Sequence, residues 1–144
     1  MLSQKAKYAL QALSFLAAHY ADESPVLIGT IAQERNIPFK FLEGILCQLK
    51  NHDILVSSRG RGGGYRLSSA PKKIKLASII RIIDGPIALL SCVSLNFYEP
   101  CANCDQKTCG INPVMAEARD AILKVLEKRT LQDIMDKNAI NFCL

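Results

Sequence analysis

Leu55-Val56-Ser57-Ser58-Arg59-Gly60-Arg61-Gly62-Gly63-Gly64-Tyr65-Arg66-Leu67 is the stretch on which the fold turns. Residues 54–58 read as a strand, rich in β-branched and apolar side chains, and 65–67 as its returning partner. Four of the chain's eight glycines fall in the tip between them, beside Arg59 and Arg61. Glycine admits positive φ and lets backbone approach a partner closely. The tip matches neither the dinucleotide GxGxxG spacing nor a phosphate-binding loop, for no Lys-Ser/Thr follows it. The stretch is therefore a hairpin with a basic, glycine-rich turn.

What precedes the hairpin gives it meaning. Residues 28–35 predict a short helix with Ile28, Ile31 and Ala32 inward. Asn36-Ile37-Pro38 interrupts it, because proline lacks an N–H and biases the residue before it away from helical angles. A second helix follows, with Phe41, Leu42, Ile45, Leu46 and Leu49 as its apolar face and an end near His52. Helix, short turn, helix and then hairpin is the order of a winged helix-turn-helix, with the helix-turn-helix over about residues 28–51 and the wing over about 54–67. Upstream, residues 3–20 carry an amphipathic stripe of Ala6, Ala9, Leu10, Leu13, Leu16, Ala17 and Tyr20, with Ser3 as N-cap.

Downstream of a Pro71-Lys72-Lys73 link, a heavily apolar helix is predicted over Leu76–Asp84, stopped by Gly85-Pro86. A loop over 92–112 follows. Asn112-Pro113 then suggests an N-cap and first helical residue for a long helix to about Lys128, with Val114, Ala118, Ala121, Ile122, Val125 and Leu126 apolar. Thr130 caps a last short helix over 131–138. The expected class is mainly α with a small β-hairpin wing, divided into a winged helix-turn-helix region (1–75) and a helical region (76–144) that carries the loop. The long helix is too apolar to protrude alone; it packs on the first helix or pairs with its twin in a homodimer, and pairing is the stronger reading because it doubles the contacts of a small DNA-binding domain.

Charge and cysteine placement narrow the chemistry. Of the net charge of +5, residues 1–75 contribute +6 and residues 76–144 contribute −1. The excess in the first half suits a polyanion, although a solubility surplus gives the same arithmetic. Lys40 and Glu43 on the second helix, with Arg59 and Arg61 on the wing, are the candidate contacts to double-stranded DNA; a surface ion pair and a solvated charge are the plain alternatives. Of six cysteines, Cys92, Cys101, Cys104 and Cys109 lie within 18 residues. In a reducing compartment such a cluster points to a metal or redox site before a disulfide framework. Thiolates suit iron–sulfur clusters and zinc alike, and metal-free thiol switching is also open. Cys47 is expected to be a small packing residue. The only histidines, His19 and His52, sit in separate surface contexts with no nucleophile–base constellation, so an enzyme is not expected. No run approaches the roughly 18 apolar residues of a membrane span, and a cytoplasmic protein is expected.

Taken together, Lys5-Ala6-Lys7-Tyr8-Ala9, Phe41-Leu42-Glu43, the whole of Leu55–Leu67 and Thr130-Leu131-Gln132-Asp133-Ile134 resemble the Rrf2 family of bacterial winged-helix regulators, over almost the full chain. The resemblance implies a homodimer on partly palindromic operator DNA, with an effector site in the loop before the long helix. In IscR-like members that site holds an iron–sulfur cluster; CymR-like members have none and answer to a bound metabolic enzyme. It places Lys40 and Glu43 on the groove-facing side of the recognition helix and Arg59 and Arg61 on the wing. Two departures stand out. The first cysteine of the family's spacing has two candidates here, Cys92 and Cys101, and the histidine that completes an IscR-like site is Asn112. The expected ligands are thus Cys101, Cys104 and Cys109, with the fourth from Cys92 or the partner subunit, holding a 2Fe-2S or 4Fe-4S cluster.

Overall fold

The computed structural model describes residues 1–135. Its elements are α1 (Gln4–Ala18), α2 (Ile28–Glu34), α3 (Phe39–Asn51), β1 (Leu55–Ser58), β2 (Gly64–Leu67), α4 (Leu76–Asp84), α5 (Ile111–Leu126) and α6 (Leu131–Met135), with 3-10 turns at Tyr20–Asp22, Pro71–Lys73 and Ser91–Val93. β1 and β2 pair antiparallel, Leu55 opposite Leu67 and Ser58 opposite Gly64. The order is that of a winged helix. The predicted end of the last helix and Cys143 lie outside the described residues.

Helix α1 is the axis of the core. Its small residues Ala6, Ala9 and Ala12 are fully buried, which lets neighbouring helices approach closely, and Leu13 and Leu16 fill the spaces between them. Ser3 caps it as expected, its Oγ accepting from the Ala6 N–H at 3.0 Å, while the Ser3 N–H donates to the Asp84 carboxylate at 2.9 Å and ties the chain start to the end of α4. The helix stops at Ala18, so Tyr20 leaves the predicted stripe and is exposed. One cluster of buried side chains runs from α1 through Ile31, Leu42, Ile45, Leu46 and Leu49 to the hairpin residues Leu55 and Leu67, and on to Ile79 of α4 and Leu131 of α6. Residues 74–76 also pair with the start of α6: the Leu131 N–H donates to the Ile74 carbonyl and the Leu76 N–H to the Arg129 carbonyl.

Three further sequence expectations need correction. Phe41 is 45% exposed rather than in the core; it lies off the Leu42–Ile45–Leu46–Leu49 face and packs edge-on against Tyr8, centroids 5.6 Å apart. Cys47 is exposed and fills no core space, since α3 turns it outward with Glu43. Helix α5 begins at Ile111 with Gly110 at the cap, so Asn112 and Pro113 belong to its first turn. Proline is tolerated there because the first-turn N–H groups have no intrahelical acceptor.

Candidate nucleic-acid interface and cysteine loop

The helix-turn-helix holds one face of α3 free. Leu42, Ile45, Leu46 and Leu49 bury one side completely, and the other carries Phe39, Lys40, Glu43, Gly44, Cys47 and Asn51, all exposed. Lys40 and Glu43 thus stand together on an outward surface, with Lys40 near the N-terminal end. Gln48, later on the helix, turns inward: its Nε2 donates to the Ile82 carbonyl of α4 at 2.7 Å and its Oε1 accepts from Lys5 Nζ at 2.6 Å. That side chain therefore locks the angle of α3 against α1 and α4.

The hairpin is fixed at its base and open at its tip. Val26, just before α2, pairs with Tyr65 through two backbone bonds of 2.8 Å, Val26 N–H to the Tyr65 carbonyl and Tyr65 N–H to the Val26 carbonyl. Gly64 makes this possible. Its φ is +144°, and a Cβ there would sit 2.2 Å from the Val26 carbonyl oxygen. The segment entering the helix-turn-helix and the root of the wing thus form a third, one-rung pairing beside β2. Arg59 and Arg61 project from the exposed tip. Burial, followed by the neighbouring Cys47 and Glu43, raises the Tyr65 hydroxyl pKa, which marks the wing root as lying beside the outer face of α3. Lys40 and Glu43 are thus exposed on α3, and Arg59 and Arg61 on the tip of the hairpin whose root lies beside it.

The cysteines lie on the opposite functional element, the loop into α5. Cys101 and Cys104 are exposed; Cys92 and Cys109 are half-buried. Cys101, Cys104 and Cys109 are close enough to interact: the Asn103 N–H and the Cys104 thiol both donate to Cys101 sulfur, which lowers the Cys101 pKa. Donating to Cys101 first, and also to Cys109, pushes Cys104 up to about 12. Cys92 stands apart from this trio, its sulfur accepting from the Asn112 amide at 3.6 Å and its carbonyl from Gln106 at 3.2 Å. Asn112, at the position where the resemblance to IscR-like members implies a histidine, therefore touches Cys92, a contact the sequence did not disclose. The donor set fits an iron–sulfur cluster in chemistry and in number. Among the described residues, however, no three His, Cys, Asp or Glu side chains are arranged to hold a metal ion.

The loop is mechanically linked to the frame. It leads directly into α5, which lies against α4 and the Ser91–Val93 turn. At the far end of α5, Glu127 receives Arg81 of α4 at 2.6 Å and Lys75 at 3.4 Å. The Arg81 bond, ahead of its charge, holds the Glu127 carboxyl below its usual range. The tie is therefore in place at neutral pH and is lost only as acid protonates Glu127. Along α5 no residue is buried, and Ile111, Val114, Ile122 and Val125 form an exposed apolar stripe.

Comparison with known proteins agrees with this geometry. The family described as Rrf2, iron-dependent transcriptional regulator, matches residues 2–137. An HTH-type transcriptional regulator of Rhodobacter capsulatus, described as rrf2-like, is 41% identical over 138 residues, 94% of this chain and 92% of that protein. The HTH-type regulator CymR of Bacillus subtilis is 32% identical over 133 residues, 92% of this chain and 88% of its own. Among solved structures, B. subtilis CymR, named the global cysteine regulator, superposes with a TM-score of 0.77 at 30% identity, covering 94% of this chain and 95% of that one. T. potens IscR superposes with a TM-score of 0.74 at 28% identity, covering 94% and 85%. No described helix is long and apolar enough to cross a membrane.

Proposed function

Starting from the fact that this chain belongs to the Rrf2 family of transcriptional regulators, we propose that it is a homodimeric, sequence-specific DNA-binding regulator whose Cys92–Cys109 loop binds an iron–sulfur cluster. The observation that carries the DNA half is the exposure of Lys40 and Glu43 on the outer face of α3 and of Arg59 and Arg61 on the wing tip, with the wing root pinned to Val26. Lys40 would take phosphate or guanine, and Glu43 would accept from cytosine N4 while repelling phosphate, so it selects sequence at the expense of affinity. Arg59 and Arg61 would hold phosphate or enter the minor groove. Each neutralised phosphate releases counterions, so Arg59→Ala and Arg61→Ala, each present in both subunits, should each lower the slope of log affinity against log salt by about two. Filter-binding titrations between low and moderate salt test this, and an unchanged slope for both would remove the wing from the interface.

The proximity of Cys101, Cys104 and Cys109 supports the sensing half, with the fourth donor supplied by Cys92 or by the partner subunit. A cluster, when bound, supplies a centre that reacts with oxygen or nitric oxide. The rest of the device belongs to the protein. Loop 92–112 sets the start of α5; Arg81 and Glu127 fasten α5 to α4; Gln48 fastens α4 to the recognition helix. An effector moves this linkage only by binding its two arrangements with different affinity. Purification without oxygen, followed by iron and sulfide analysis, should give coloured protein with matched iron and sulfide, lost on changing Cys101, Cys104 and Cys109 to Ala. Iron-free protein after reconstitution would overturn cluster binding. The contact among the three thiols also favours a second reading, metal-free thiol oxidation controlling the same linkage; it predicts a disulfide on mass spectrometry of the oxidised protein and an operator affinity that changes with it.

A further inference from the structure

The first residue of the recognition helix has a side chain that neither the core nor the charged contacts account for. Phe39 follows Pro38 at the N-terminal end of α3 and is 48% exposed. Its near neighbour Phe41 is exposed to a similar degree but has its edge-on partner in Tyr8. Phe39 instead shares the outward side of α3 with Glu43, one turn along, and stands next to Lys40, at the end of the helix where recognition helices meet base edges. Pro38 at the cap holds the entry to the helix with an extended ψ of 126°, so the position of this ring is set by the turn rather than by a free chain end.

A phenyl ring carries no donor or strong acceptor, which limits what it can read. In the major groove every base pair displays hydrogen-bonding groups, and the one apolar group among the four unmodified bases is the C5 methyl of thymine. Lys40 and Glu43 are chemically suited to the polar edges of guanine and cytosine; Phe39 is suited to the methyl. We propose that Phe39 is a specificity-determining residue that packs on a thymine methyl in each operator half-site. This rests on the DNA-binding reading above and adds to it a base and an atom.

The test uses the full-length protein and duplexes enriched by it from a random pool. Each thymine of the enriched site is replaced in turn by deoxyuridine, which removes the methyl and leaves the hydrogen-bonding edge intact. For the unmodified protein, one thymine per half-site should lose roughly fourfold in affinity, the worth of one buried methyl group. Phe39→Ala should bind both duplexes equally, and Phe39→Leu should retain part of the discrimination. Circular dichroism of both variants guards against a folding defect, and the scan of the unmodified protein stands without them. A site in which no thymine is methyl-sensitive, or one equally sensitive with Phe39→Ala, would overturn the inference while leaving DNA binding intact. A selection that enriches no duplex would overturn the DNA-binding reading and this inference with it.

Discussion

Gly64→Ala should destabilise the fold by about 3 kcal/mol and weaken operator binding roughly tenfold. Two effects add at this position. A φ of +144° lies in a region that side-chain-bearing residues rarely adopt, and the added Cβ would meet the Val26 carbonyl oxygen at 2.2 Å and the Leu27 nitrogen at 2.9 Å. Both neighbours are backbone atoms, so no side chain can swing aside. Relief requires breaking the Val26–Tyr65 rung, whose two hydrogen bonds contribute about 1 kcal/mol each. The wing then loses its fixed relation to α2 and α3, and affinity falls with the fraction of molecules that keep the wing in place. Gly62→Ala is the control: it shares the positive φ, at +75°, but its Cβ would meet nothing within 4 Å. Urea unfolding followed by circular dichroism should show a much larger loss for Gly64 than for Gly62. Equal losses would mean that strain alone governs the tip and that the rung has no part in holding it.

That comparison also shows where sequence reading stops. The glycine run, Pro38 and the helical period of Leu42, Ile45, Leu46 and Leu49 are local signals, and each located its element to within a residue or two. The Val26–Tyr65 rung joins segments 39 positions apart through backbone atoms alone, and nothing periodic or compositional announces it. The role of Gln48 is hidden for a related reason. It lies late on the recognition helix, away from the base-reading end, and its partners Lys5 and the Ile82 carbonyl, both remote in sequence, turn it inward. Phe41 shows the limit of counting apolar residues, since a three- or four-residue step admits it to a stripe whose core side it does not share. In the cysteine loop, the four sulfurs could be named from composition, but their grouping into a trio and a separate Cys92–Asn112 contact depends on loop conformation, which no periodicity encodes.

The apolar stripe of α5 leads to the other large effect, a loss of dimerisation. Val114 and Val125 are 55% and 56% exposed, Ile111 is equally open, and Ile122 continues the stripe on the same side. Ile122 and Leu126 also line a largely apolar groove of about 520 Å³ with Leu2, Ile80, Ile87 and Leu89, so the stripe runs into a concave surface rather than ending in polar solvent-facing residues. Contiguous apolar surface of this kind on a regulator is the mark of an interface, and a second copy of the same helix is its natural complement because a two-fold contact presents the same patch from both sides. Changing Val114 and Val125 together to Glu places four like charges across that contact. Since both side chains are more than half exposed within one chain, the unfolding free energy of the monomer from urea titration should stay within about 0.5 kcal/mol. The mass by sedimentation should fall from dimer to monomer, and operator affinity should fall about a hundredfold, the loss expected when two half-site contacts are no longer linked. A variant that remains dimeric, or a monomer that binds the full operator as tightly as the parent, would move the dimer interface away from α5. It would also break the proposed route from the cysteine loop to the DNA, because that route works only if the start of α5, where the loop ends, sets the spacing of two recognition helices.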